Sequence, residues 1–207
     1  MVWAIFNDLM QRLVTFNKLE QKNILRRRLE ALSIPKGSKV LDFGCGTGLF
    51  AKCLTRLGLR YCGYDIDRRL ISYASRLYGG CKFIGTKDEL VKEAPFDLII
   101  ANCCFHHINN AIVHDELRDI EKILDRKGTF IMIDILSNKN DDFFPRKVFR
   151  MLELGRQLRS FDDYKKNLEQ YFCISGSDIV RSHLFSIRKS PIYNDLATFE
   201  CRIKHRS

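Results

Sequence analysis

The chain has 207 residues, 45% hydrophobic and 29% charged, which suits one substantial core and leaves too little sequence for a second full domain. No run approaches the roughly 20 apolar residues of a membrane span. The net charge of +10 favours an anionic substrate, RNA or a lipid surface, yet the basic residues fall in short dispersed clusters, as on solvated helical faces, so a nucleic-acid patch is the less favoured reading. Eight cysteines without a CxxC pair read as reduced, buried small side chains, not as disulfides or a zinc site. The N-terminal ten residues carry Asp8 and no leading basic region, so a secretory signal is not expected and a cytoplasmic protein is.

In chain order, residues 1–36 read as N-terminal helices, with Phe6, Met10 and Leu13, then Leu25, Leu29 and Leu32, at helical spacing, ended by Pro35 and Gly37. From residue 39 the pattern changes to short apolar runs, "KVLDF", "RYCGYD", "CKFIG", "FDLIIANC" and "GTFIMIDI", suited to strands buried on both faces. Helical segments at about 48–58, 68–78, 86–93 and 111–125 separate them. Strand and helix in alternation imply right-handed βαβ units and a doubly wound, mostly parallel sheet over a core of residues 37–136. A charged stretch at 137–172 reads as a helical lid or insert, helical from about 145 to 171. The last part, 173–207, reads as an antiparallel β-hairpin from "SDIVRSHLFSI" and "LATFECRIK" around a Pro and Asn-Asp turn, which would bring the sheet to seven strands with one antiparallel strand at its edge.

In such a sheet ligands bind beyond the carboxyl ends of the strands, so the first strand-to-helix turn, "DFGCGTGLF", is the place to look. Gly44, Gly46 and Gly48 follow GxGxG, not the GxGxxG of a dinucleotide site, and Asp42 precedes them. A carboxylate there repels a pyrophosphate and holds an ammonium, while bare backbone admits close approach of a ligand chain. S-adenosylmethionine combines an amino-acid end, a sulfonium and a nucleoside. Asp65, at the end of the second strand in "GYDID", stands where an acid accepts ribose hydroxyls. The plainer reading of both acids is helix capping.

The run "VLDFGCGTGLF...GYDIDRRLISYASRLYG...FDLIIANCCFHHI...IEKILDRKGTFIMID" resembles class I S-adenosylmethionine-dependent methyltransferases, most closely the small-molecule branch typified by quinone-biosynthesis methyltransferases. The resemblance spans about residues 38–135 and implies a Rossmann-like methyltransferase fold. It also implies that Asp42 and the turn from Gly44 through Cys45, Gly46 and Thr47 to Gly48 hold the methionyl part, and that Asp65 holds the ribose. Ile66 would flank the adenine, and Asn102 with Cys103 would lie under the methionine and sulfonium. The chain departs from the family at the adenine amino group, where Thr86 and Lys87 stand in place of the usual acid; Asp88 either substitutes or caps a helix with Glu89.

Methyl transfer from a sulfonium is an in-line displacement, so alignment supplies much of the acceleration and a base is needed only if the acceptor must lose a proton. His106 or His107 in "NCCFHHI" is the candidate base for an acceptor hydroxyl; the alternative is packing beneath the cofactor and loop capping. The same stretch lacks the prolines of the amino-methylating nucleic-acid enzymes and of the cytosine C5 methyltransferases, which disfavours base methylation and a Cys103 or Cys104 nucleophile. Phe105, Arg146, Arg150, Arg188 and Tyr193 are the candidate substrate residues, cations and aromatics suited to an amphipathic acceptor bearing a carboxylate or phosphate. The expected function is therefore methylation of a small or amphipathic, anionic acceptor, at oxygen. An RNA methyltransferase and a non-catalytic methyltransferase-like binding protein are the alternatives, and no resident metal is expected.

Overall fold

The structure, a computed structural model, describes residues 18–137, 157–183 and 193–204. Within them the elements run α1 (Lys18–Ala31), β1 (Lys39–Phe43), α2 (Ala51–Arg56), β2 (Arg60–Tyr64), α3 (Arg68–Leu77), β3 (Lys82–Ile84), α4 (Lys87–Glu93) and β4 (Phe96–Asn102). A 3-10 turn (Phe105–His107), α5 (Val113–Ile123), β5 (Leu124–Ile135), α6 (Phe161–Leu168), β6 (Phe172–His183) and β7 (Tyr193–Ile203) follow. The strands form one seven-stranded sheet in the order β3-β2-β1-β4-β5-β7-β6. β1 to β5 pair in parallel, and β7 pairs antiparallel with both β5 and β6. The order reverses between β1 and β4, so the β1 and β4 turns open side by side at the carboxyl edge.

The period of two along each strand divides the core into two layers. Leu41, Phe43, Ile99, Ala101, Phe130 and Met132 pack with Leu90 of α4, Val113, Leu117 and Ile120 of α5, and Tyr164 and Leu168 of α6. Val40, Leu98, Ile100, Ile131 and Ile133 face the opposite way, against Ile24, Leu25 and Leu29 of α1 and Ala51 and Leu54 of α2. α1 is pinned to the far side of the sheet by Arg28, which donates to Glu200 (3.2 Å), Asp178 (3.3 Å) and the Thr198 hydroxyl (2.9 Å).

The observed strands β1 to β4 and the helices between them match the sequence expectation; β5 starts at Leu124, ahead of the expected "GTFIMIDI" and within the expected helix 111–125, and two C-terminal details correct the expectation further. The strand that runs against the others, β7, sits one place in from the edge; β6 is the edge strand. β6 also begins at Phe172, ahead of the expected "SDIVRSHLFSI", because Phe172 packs into the core beneath Phe130, with ring centroids 5.4 Å apart. Of the expected lid or insert at 137–172, residues 138–156 lie outside the described residues, and its described helix, Phe161–Leu168, packs on the sheet. Its capping box, Ser160 with Asp163, starts it, and Tyr164 and Leu168, one turn apart, are buried.

Candidate active site

The glycine turn is built by what its residues lack. Gly44, Gly46 and Gly48 have φ of 72°, 55° and 78°, the left-handed region that glycine adopts without cost. At Gly44 a Cβ would lie 2.3 Å from Cys104 Sγ, so only a bare backbone lets the turn meet the segment after β4. The Gly44 and Cys45 amides both donate to the Tyr64 carbonyl (2.8 and 2.9 Å), which locks the turn to the end of β2. Cys45 and Thr47 are buried within it, and burial pushes the Cys45 thiol up.

Two acids flank this turn. Asp42 is 2% exposed, and its Oδ2 accepts from the Tyr61 hydroxyl at 2.8 Å. Burial pushes the Asp42 carboxyl up to about 7, against the lowering effect of the Tyr61 hydrogen bond and with a further raise from Asp65. Asp65 accepts from the Gly46 amide and the Asp67 amide, both at 2.9 Å. Its carboxyl is raised by burial and pulled back by those two amides. A carboxylate has about four lone-pair sites, so Asp65 keeps capacity for ribose hydroxyls. Ile66, next in the chain, is 82% exposed, an apolar side chain left in water where an adenine face would cover it.

Across the switch point, Asn102 Nδ2 donates to Gln21 Oε1 (3.1 Å), and Gln21 Nε2 donates to Cys103 Sγ (3.4 Å). Cys103 takes the left-handed conformation, φ 49°, unusual for a residue with a side chain. Asn102 Oδ1 is buried with no hydrogen-bond partner among the described residues. A buried acceptor without a donor is costly, and the ammonium of an amino-acid ligand is a donor that would satisfy it. The glycine cradle, the paired acids, exposed Ile66 and this orphaned oxygen together fit S-adenosylmethionine.

The segment after β4 is clamped from both sides. Asp134, fully buried near the end of β5, accepts from the Phe105 amide (2.6 Å), the His106 amide (3.2 Å) and His106 Nδ1 (2.5 Å). Arg159, 5% exposed, donates to the Phe105 and Ile108 carbonyls (both 2.8 Å) and to Asn110 Oδ1 (2.6 Å). His106 is 3% exposed, whereas His107 is exposed, and the two rings lie 4.0 Å apart between centroids.

Several expected roles change in the light of this geometry. Phe105 is 1% exposed, with its ring against Phe43 and Phe130, so it packs in the core. Thr86 caps α4, accepting from the Glu89 amide and donating to its carboxylate, and Lys87 pairs with Glu116 (2.9 Å) and Asp119 (2.8 Å) of α5. Both side chains thus brace α4, and Asp88 is exposed in its first turn. The cysteines are all free thiols, but only Cys45, Cys62 and Cys201 are buried and Cys173 is exposed. Arg146, Arg150 and Arg188 lie outside the described residues; Tyr193 opens β7, its backbone paired with His183, and its side chain lies outside them. Four participants were missed in sequence. Tyr61 and Asp134 were detectable as polar side chains inside strands buried on both faces; Gln21 and Arg159 carried no such signal.

A sheet of this order with a glycine turn and two acids at the reversal of strand order defines the class I S-adenosylmethionine-dependent methyltransferases. A family model described as "Methyltransferase domain" matches residues 16–176, and the chain belongs to that family. An uncharacterised methyltransferase of Synechocystis sp. is 27% identical over 184 residues, covering 86% of this chain and 84% of that one. A ubiquinone biosynthesis O-methyltransferase of Rhodopseudomonas palustris is 29% identical over 125 residues, 55% of this chain and 46% of that one, so the chain spans less than half of that relative. Among solved structures, a magnesium protoporphyrin IX methyltransferase from Synechocystis with bound S-adenosylhomocysteine superposes with a TM-score of 0.64 at 18% identity, covering 88% of this chain and 82% of that one.

Proposed function

We propose that this methyltransferase acts on a small or amphipathic, anionic acceptor and methylates it at oxygen. The observation that carries the reading is the buried His106–Asp134 pair beside the end of β4. Asp134 can only accept, so His106 Nδ1 carries the proton and, in the neutral ring, Nε2 holds the lone pair of a base. A carboxylate that orients an imidazole in this way also stabilises the cation formed when the base takes a proton. Bound S-adenosylmethionine supplies the methyl group, already attached to a leaving group. Asp42 and Asn102 hold its ammonium end, Asp65 its ribose, and Ile66 covers its base. His106 would take the hydroxyl proton of an acceptor that reaches its buried ring past exposed His107, 4.0 Å away between centroids.

The net charge of +10 supports an anionic acceptor, and the similar protein named as an O-methyltransferase supports oxygen as the target. No helix among the described residues is long and apolar enough to cross a membrane. Eight free thiols support a reducing, cytoplasmic setting. The test is transfer of labelled methyl to a panel of hydroxylated aromatic acids and phosphates, with tRNA as a competing acceptor and the methylated atom assigned by NMR. An O-methyl product, and a kcat lowered about 10²- to 10⁴-fold in His106→Gln with cofactor binding intact, are expected. An N-methyl product or preferential labelling of tRNA would sink it.

A further inference from the structure

The Asp42–Tyr61 contact is a built feature with a specific cause. The β1–β2 register sets Val40 beside Tyr61 and Asp42 beside Gly63, so Tyr61 lies on the same face as Asp42 one pair back, and its ring must reach along the strand to find the carboxylate. Gly63 makes that reach possible. A Cβ there would lie 2.8 Å from the Tyr61 hydroxyl and 2.9 Å from both Cys45 Sγ and Phe83. Phe83 closes the other side, edge-on to Tyr61 with centroids 5.6 Å apart. The hydroxyl is thereby held 2.8 Å from Asp42 Oδ2 in a buried setting.

We propose that Tyr61 is a positioning residue of the cofactor site, whose hydroxyl occupies one oxygen of Asp42 and keeps that carboxylate anionic for the cofactor's ammonium. This is independent of the acceptor and rests on the reading above that Asp42 meets the cofactor's ammonium. The titratable groups around Asp42 are Tyr61 and Cys62 of β2, Cys45 of the glycine turn, Cys104 after β4, and Asp65. Burial pushes up the Cys45 and Cys62 thiols and the Tyr61 phenol, and also the Cys104 thiol, whose sulfur is enclosed against the Gly44 backbone although the residue as a whole is half-buried; all four stay neutral, and Asp65 is left as the other acid, of like charge to Asp42. Burial and Asp65 therefore both favour the protonated form of Asp42, and the Tyr61 hydrogen bond works against them. Cofactor binding requires the anion, so it draws a proton from the neutral fraction of Asp42 into solvent. Without the hydroxyl, that fraction is larger at any pH in the neutral range.

The experiment is titration calorimetry of wild type and Tyr61→Phe with S-adenosylmethionine and S-adenosylhomocysteine from pH 6 to pH 9. The cofactor's own ammonium titrates alike against both proteins and cancels in the ratio of their Kd values. The strength of a hydrogen bond to a charged group corresponds to a ratio of about ten at pH 6, falling to within about twofold of unity at pH 9, where Asp42 is ionised in both. A ratio independent of pH overturns the proposal, since lost packing alone acts equally at every pH. A second measurement needs no cofactor. A hydroxyl that prefers the anion makes Tyr61→Phe lose more melting temperature, relative to wild type, at pH 9 than at pH 5; an equal loss at both pH values overturns the proposal too.

Discussion

Replacing Asp42 by Asn should weaken cofactor binding and stabilise the protein at once. The folded Asp42 carboxyl stands at about 7, above the ordinary 3.8, because burial disfavours its charge. For an acid with a raised folded value the cost of ionisation is absent below about pH 4, grows as pH rises between 3.8 and about 7, and is complete above. That difference amounts to about 4 kcal/mol at pH 8 and about 1 kcal/mol at pH 4.5. Asn is nearly isosteric, keeps an acceptor for the Tyr61 hydroxyl, and carries no charge to desolvate. Asp42→Asn should therefore melt roughly 10 °C above wild type at pH 8, from about 2–4 °C per kcal/mol for a chain of this size, and only a few degrees above it at pH 4.5. Its affinity for S-adenosylmethionine should fall roughly a hundredfold for the lost ion pair. Scanning fluorimetry at the two pH values and calorimetry with the cofactor measure both effects. A gain in melting temperature that is equal at pH 4.5 and pH 8 would refute the reasoning, because only ionisation of Asp42 makes the gain depend on pH.

Arg159→Met should cost about 3–5 kcal/mol, since it strips donors from the buried Phe105 carbonyl and from Ile108 and Asn110; a melting temperature within about 2 °C of wild type contradicts the clamp. The same variant should lower kcat more than it weakens cofactor binding, because the segment it holds carries His106. Gly44→Ala should abolish measurable cofactor binding and cost about 2–4 kcal/mol, from φ of 72° and a Cβ 2.3 Å from Cys104 Sγ. Adding Cys104→Ala should recover only part of the stability, as the Cys104 Cβ itself lies 2.9 Å from the new atom; full recovery refutes the backbone strain. Arg28→Ala should cost about 1 kcal/mol, less in 1 M salt, and speed amide exchange in α1; unchanged exchange would show that Arg28 does not anchor that helix.

The β1 to β5 elements were legible because period and punctuation are local: "KVLDF" is apolar on both faces, and three alternating glycines admit few backbone paths. The acids Asp42 and Asp65 stand out in the sequence as candidate site residues for the same reason, since a charge near the end of a buried strand has to face a ligand or a cap. The order of β7 and β6, the docking of α6 on the sheet and the pairing of α1 with β6 and β7 join residues far apart in the chain, and no local period encodes such partners. His106 and His107 are adjacent and chemically identical in the sequence; Asp134, 28 residues away, selects His106 by burying it and fixing its tautomer. Phe105 reads as a candidate contact in sequence and is a core side chain because the turn after β4 folds back under Arg159. Residue type and spacing thus announced the cofactor turn, whereas desolvation and long-range hydrogen bonding, which exist only once the strands are packed, assigned Tyr61, Asp134 and Arg159 their places.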